Sequence, residues 1–285
     1  MSSRPSPALR GIAAAALAAL ASASVLALAR TPAPAQRTSV DNVARGLDLA
    51  RRVADAQSSR GFLVRARVVV GHEPADGPPP TVLQIRMLGR RDKTSDRLLF
   101  QVLWPTAMKG HALVLERRER TGRTGFLFDP PSNVTPLTRA LAAEPFAGTA
   151  LTPEDLADDF WRWPAQRFAG VGRDGRRYCS LLESKPPAEA ESAYTLVRSC
   201  VETGRHTPRW VEKVGPGGLI VKRISFERTR SAGGGDGATL TMMVEGPRVP
   251  PTRVEFLRQD RDVDVAPQEF TVERLGRLGL APPPR

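Results

Sequence analysis

The chain has 285 residues, 41% of them hydrophobic, which is enough for one sizeable core or two small ones. Its formal charge of +12 invites a nucleic-acid or anionic-membrane partner. Yet 37 of its 42 basic residues are arginines scattered along the chain, and aromatic stacking motifs are missing, so no nucleic acid is expected. Attraction to anionic lipid headgroups is what survives of the charge argument.

The N-terminus reads as a secretory signal. Arg4 and Arg10 precede an alanine-rich apolar run at residues 11–29, and Ala33-Pro34-Ala35 predicts cleavage after Ala35. A run of this length could just span a bilayer, so an uncleaved membrane anchor is the alternative. The signal carries Arg4, Arg10 and Arg30 and no acid, so its removal leaves a charge of +9 on residues 36–285. No cysteine lies near the cleavage point, so the mature N-terminus is not acylated there. The product is expected in the periplasm. The Pro/Gly-rich stretches at 77–80 and 231–237 are short and sit between strand-like runs, as hairpin loops do, so residues 36–285 read as a single domain.

Residues 38–57 predict a helix, with Ser39 as N-cap and Val43, Leu47, Ala50 and Ala54 on one stripe. From Phe62 the period changes to two, with Phe62, Val64, Ala66, Val68 and Val70 on one face. Similar runs follow at 82–88, 97–103, 112–116, 125–128, 177–182, 194–201, 208–214, 219–226, 239–244 and 252–259, about eleven strands in all. Their succession favours an antiparallel meander. Thr152-Pro153-Glu154-Asp155 joins an N-cap, a proline at the first helical position and an acid three residues after the cap, predicting a helix over 153–161. A second short helix is predicted at 267–275. Cys179 and Cys200 lie in adjacent strand-like runs, and in an exported protein they are expected to form a disulfide.

Three blocks then resemble one family, the LolA-like outer-membrane lipoprotein-sorting proteins. In residues 100–115, FQVLWPTAMKGHALVL, the turn residues Pro105, Lys109 and Gly110 match the family's P-x-x-x-K-G. Phe126-Leu127-Phe128-Asp129-Pro130 resembles its aromatic strand end, and residues 146–157, FAGTALTPEDLA, its F-x-G-S-D-[FL]-[ST]-x-E-D-L segment. Two departures stand out: Ala150 replaces the usual Asp, and residues 132–138 lack the basic residues common there. The resemblance implies a mainly β (α+β) fold, a curved antiparallel half-barrel with helices covering its concave face. It implies a periplasmic carrier of acylated lipoprotein or lipid, taking cargo from an inner-membrane transporter complex and giving it to an outer-membrane acceptor. A periplasmic sensor like the RseB-type regulators is the alternative; those carry a second C-terminal domain, and the chain ends about ten residues after its last predicted helix, which favours the carrier.

Sheltering a CH₂ group is worth about 0.8 kcal/mol, so acyl chains need a large apolar cavity and no chemistry. Trp104, Met108, Phe126, Phe128, Phe146, Leu156, Trp161 and Trp163 are the candidates to line it. Residues 146–163 are the candidate lid, its helix capped by Thr152 and Asp155. No catalytic or cofactor motif appears: the sequence lacks G-x-S-x-G, H-E-x-x-H, a P-loop and G-x-G-x-x-G. The three histidines, His72, His111 and His206, have no ligand spacing to one another. Neither enzyme activity nor a cofactor or metal is expected.

Overall fold

Runs of alternating apolar and polar residues, separated by short turns, favour antiparallel pairing between sequence neighbours. A computed structural model describes residues 34–57, 59–71, 79–118, 122–157, 160–230, 238–247 and 249–280. Residues 1–33 of the expected leader, His72 and the 231–237 loop lie outside the described residues. Helix α1 (Pro34–Ala56) leads into six strands: β1 (Gly61–Val70), β2 (Thr81–Arg91), β3 (Ser95–Trp104), β4 (Ala112–Arg118), β5 (Gly122–Asp129) and β6 (Asn133–Pro136). Residues 137–164 follow, containing α2 (Arg139–Ala143) and α3 (Pro153–Ala157). Seven more strands complete the sheet: β7 (Ala165–Asp174), β8 (Arg177–Lys185), β9 (Leu196–Val201), β10 (Pro208–Val214), β11 (Ile220–Arg230), β12 (Ala238–Gly246) and β13 (Val249–Arg261). A 3-10 turn (Pro267–Phe270) and α4 (Val272–Leu280) end the described chain.

All thirteen strands form one open antiparallel sheet in the order β6-β5-β4-β3-β2-β1-β13-β12-β11-β10-β9-β8-β7. The chain thus makes two meanders that join through β1 and β13. The sheet is strongly curled. Val102 on β3 and Leu182 on β8 belong to one buried cluster although eight strand spacings separate them, roughly 38 Å on a flat sheet.

Two strands escape the sequence reading, β6 and β7, and they are the two edges. Strand β6 is four residues long and exposed throughout, so it carries no burial pattern, and β7 is interrupted by Gly170 and Gly172. A short edge strand such as β6 buries too little to show the alternation by which inner strands are read, and in β7 the glycines cut that alternation to Gln166 and Phe168. Helix α1 begins four residues before the predicted start, which puts Ser39 inside it rather than at its cap. Its buried face is Gly46, Ala50, Val53 and Ala54, while Val43 and Leu47 are exposed. This small-residue face lets α1 lie directly on β7. A Cβ on Gly46 would stand 2.7 Å from backbone atoms of Arg167.

Cys179 and Cys200 are joined as a disulfide across β8 and β9, their Cα atoms 5.4 Å apart. They pack with Trp210 on the outer, convex face. The C-terminal helix starts later than predicted, after the 3-10 turn, and covers the convex face of the other half with Phe270 and Leu275.

Because β6 and β7 are opposite edges, residues 137–164 must travel the width of the sheet. They cross its concave face. Phe146, Leu156 and Ala157 pack with Phe100, Leu113 and Leu115 of β3 and β4. Leu151 joins Val68, Leu83 and Ile85 of β1 and β2, and the Ala150 N–H donates to Thr252 Oγ1 of β13 at 2.8 Å. Gln166 on β7 closes the crossing by donating to the carbonyls of Phe160 and Trp163, at 2.8 and 2.9 Å.

The α3 N-terminus anchors this crossing through charge. Thr152 and Asp155 form the predicted capping box: the Asp155 N–H donates to Thr152 Oγ1 at 3.2 Å, and Asp155 Oδ2 accepts from the Thr152 N–H at 3.0 Å. The structure adds what spacing could not show. Asp155 is 5% exposed, pairs with Lys222 of β11, and accepts from the Tyr194 hydroxyl at 2.8 Å. Lys213 of β10, also buried, holds its Nζ 3.9 Å from the Phe160 ring centroid. Glu154 accepts from Ser192 Oγ and from the Ala193 N–H in the β8–β9 connection. Burial raises the Asp155 pKa, but Lys222 and Lys213 outweigh it and hold the carboxyl below its ordinary value. The Tyr194 hydroxyl is pushed upward by burial and then by Asp155, so it stays a donor.

Two outcomes follow for stability. Gly46→Val should force α1 off β7 and lower the urea-measured unfolding free energy by roughly 1–3 kcal/mol, a cost typical of overpacking, while Leu47→Ala on the exposed side should cost far less. Asp155→Asn removes the ion-pair partner of buried Lys222 and should cost roughly 3–5 kcal/mol. Since the folded pKa of Asp155 is depressed, its contribution is complete above the unfolded carboxylate value of about 4 and is lost as pH falls through the folded value. Acid titration of stability should therefore fall less steeply below that pH in Asp155→Asn than in the wild type.

Candidate functional site

Strand alternation puts one set of side chains inside the curl, and the crossing segment fills only one end of it. There, between residues 146–156 and strands β1 to β3, a void of only 20 Å³ remains. Toward the other end lies a cavity of 1210 Å³, larger than ordinary small-molecule pockets. Its wall includes Phe62, Met87, Leu98, Phe226, Leu240 and Phe256, with Leu156, Ala157 and Trp161 of the crossing segment as its roof. The first strand face read from the sequence, starting at Phe62 and Val64, runs from this cavity into the filled end.

Several expected wall residues are elsewhere. Of the eight candidates, Leu156 and Trp161 line the large cavity. Met108 and Trp163 pack against the central core, Phe146 packs over β3 and β4, and Trp104 is 48% exposed. Phe126 and Phe128 require a correction: both face the convex side, packed with Leu88, Leu99, Phe270 and Leu275 beneath α4. The register explains it. Phe126 and Phe128 pair with Val114 and Ala112 of β4, whereas the concave face of that strand is Leu113 and Leu115. Period two tells which residues share a face, and only the direction of curl tells which face is inside. Pro105, Lys109 and Gly110 form the turn between β3 and β4, with Gly110 at φ +92° as such a turn requires.

The mouth of the cavity is built from strand ends and hairpin turns on one edge of the curl. Arg91, Asp96, Arg117 and Arg123 come from the first meander; Asp174, Arg177, Glu202, Arg205, Arg209 and Arg228 come from the second. Asp96 pairs with Arg91 and Arg117, and Arg209 with Asp174 and Glu202. Burial raises the Asp96 pKa, but these two arginines reverse the effect and keep its carboxyl ionised. The Arg162 pKa is lowered, by desolvation first and then by Arg117 and Arg91. At the roof, Trp161 is 4% exposed and its buried Nε1 has no hydrogen-bond partner among the described residues. An apolar chamber with a cationic rim can shelter a chain and hold a polar head.

Comparison with known proteins agrees with this architecture. Among curated proteins no sequence match is found. A domain described as an outer membrane lipoprotein-sorting protein, from Vibrio parahaemolyticus, superposes with a TM-score of 0.69 at 16% identity, covering 83% of this chain and 100% of its own. A DUF1329 family protein from Desulfovibrio piger gives 0.70 at 18% identity, covering 82% and 99%. A LolA superfamily protein from Nitrosomonas europaea gives 0.59 at 14% identity, covering 79% and 97%. The fold is therefore LolA-like. A family model described as an uncharacterized protein matches residues 94–277, well over half of the sequence, and the chain accordingly belongs to that family, built on the LolA-like half-barrel.

Proposed function

We propose that this protein is an exported, periplasmic carrier that holds the acyl chains of a lipid or lipoprotein in its concave cavity and passes them toward the outer membrane. The observation that carries the reading is the 1210 Å³ chamber, walled by Phe62, Met87, Leu98, Phe226, Leu240 and Phe256, inside a curled sheet whose other end is packed solid. Burial of each CH₂ there contributes about 0.8 kcal/mol, so a long chain binds without any covalent step, and the role is binding rather than catalysis. Charged leader, apolar run and Ala33-Pro34-Ala35 support export, and among the described residues no helix is long and apolar enough to cross a membrane.

The crossing segment serves as a roof. Its buried Asp155–Lys222 pair ties it to β11, and the cavity opens at the hairpin ends, so cargo enters past the rim without lifting α3. A donor complex at the inner membrane and an acceptor at the outer membrane complete the proposed cycle.

Phe226 and Phe256 line the chamber and are only half-buried, so replacing both with aspartate should weaken binding of a fluorescent fatty acid by about tenfold or more while the circular dichroism spectrum persists. Phe128→Asp, on the convex side at 1% exposure, should instead lose the fold. Unchanged affinity in the double variant would overturn the carrier reading. So would wild-type protein that ignores acyl probes and emerges from its own periplasm, by native mass spectrometry, without an acylated species.

A further inference from the structure

The rim of the chamber is one-sided in charge. Among the described residues the cavity is lined by eleven arginines, no lysine and four carboxylates. Three of those carboxylates, Asp96, Asp174 and Glu202, are already paired with Arg91, Arg117 and Arg209, and the fourth, Glu227, is exposed beside Arg228. Arg123, Arg162, Arg177, Arg205, Arg228 and Arg261 have no carboxylate partner among the described residues. They come from both meanders and from the roof, so folding alone gathers them around one opening.

Arginine abundance in the chain does not by itself produce this. Elsewhere many arginines are neutralised locally, as in Arg198 and Arg223 with Glu212, Arg167 with Glu183, and Arg67 with Glu255, and exposed ones without a carboxylate partner among the described residues, such as Arg51, Arg60 and Arg139, lie off the cavity. Like charges brought together at a partly desolvated rim repel one another: the Arg162 pKa is lowered by desolvation first and then by Arg117 and Arg91.

We infer that the cargo of the chamber is an anionic amphiphile, an acyl lipid with a phosphate headgroup, whose chain lies among Phe62, Met87, Phe226 and Phe256 and whose phosphate is held by the rim arginines. Guanidinium groups bind phosphate oxygens in paired, charge-assisted hydrogen bonds, which makes an arginine rim a better reader of phosphate than of an uncharged or zwitterionic head. The aromatic and aliphatic wall excludes a free polyanion such as nucleic acid, which would leave that apolar surface unused. This inference rests on the carrier reading and narrows it, from acylated cargo in general to an anionic phospholipid.

The test keeps the chain constant and varies the head. Dodecyl phosphate, dodecylphosphocholine and dodecanol, each below its micellar concentration, would compete with a fluorescent acyl probe for the wild-type protein, with inorganic phosphate as a further competitor. Dodecyl phosphate should bind about tenfold or more tighter than the other two, with an advantage that shrinks as salt rises. In Arg162→Gln/Arg228→Gln the preference should narrow to about twofold while dodecanol binds as before. Equal wild-type affinity for the three heads, or competition by inorganic phosphate alone at the same concentration, would overturn the inference while leaving the carrier reading intact. If none of the three displaces the probe, the carrier reading itself fails. Should the double variant not fold, the wild-type series decides the matter without it.

Discussion

The two edges of the sheet are consecutive strands in the sequence, and most of the rest depends on that constraint. Since β6 ends one meander and β7 begins the other, the chain between them has to pass from edge to edge. On the convex side it would compete with α4 and leave the inward apolar residues facing water. On the concave side it buries Val68, Leu83, Ile85 and Phe100 beneath Leu151 and Leu156. Hydrophobic burial thus selects the concave route, and the crossing chain becomes the roof of whatever space it leaves unfilled.

Charge then fixes where along the strands the roof sits. Asp155 gives up hydration to lie against Lys222, with Tyr194 and Thr152 completing its hydrogen bonds. A buried pair of this kind adds little net stability compared with apolar packing, yet misplacing one partner is costly, so its main effect is register. With α3 pinned near the β10–β11 turn, the chain fills that end and leaves hollow the opposite end, at the β2–β3 and β7–β8 turns. The apolar chamber is a consequence of this placement.

Much of this was legible in the sequence because it is local. Alternation located eleven inner strands, the Thr152–Asp155 spacing announced a capping box, and the two cysteine runs were correctly read as strands able to bring their sulfurs together. What was not legible depends on global geometry. Edge strand β6 lacks alternation because all four of its residues are exposed, and in β7 the glycines at 170 and 172 cut it short after Gln166 and Phe168. Phe126 and Phe128 share a face with Leu99 and Leu275, but the sense of curl that makes that face convex is set by all thirteen strands together. Lys213 and Lys222 look like ordinary solvated charges in sequence; only the crossing chain turns them into buried partners of Asp155.

The same distinction explains why the rim arginines were invisible as a group. Positions 123, 162, 177, 205, 228 and 261 are far apart in the chain, and scatter along a sequence argues against a patch. Antiparallel hairpins undo that argument, because alternate turns of a meander return to the same edge. Residues at the starts of β5 and β8 and the ends of β11 and β13 therefore meet at one opening however far apart they lie in sequence. Charge density on a β-protein is a property of turn parity as much as of composition, and here parity collects the positive charge where the apolar chamber meets water.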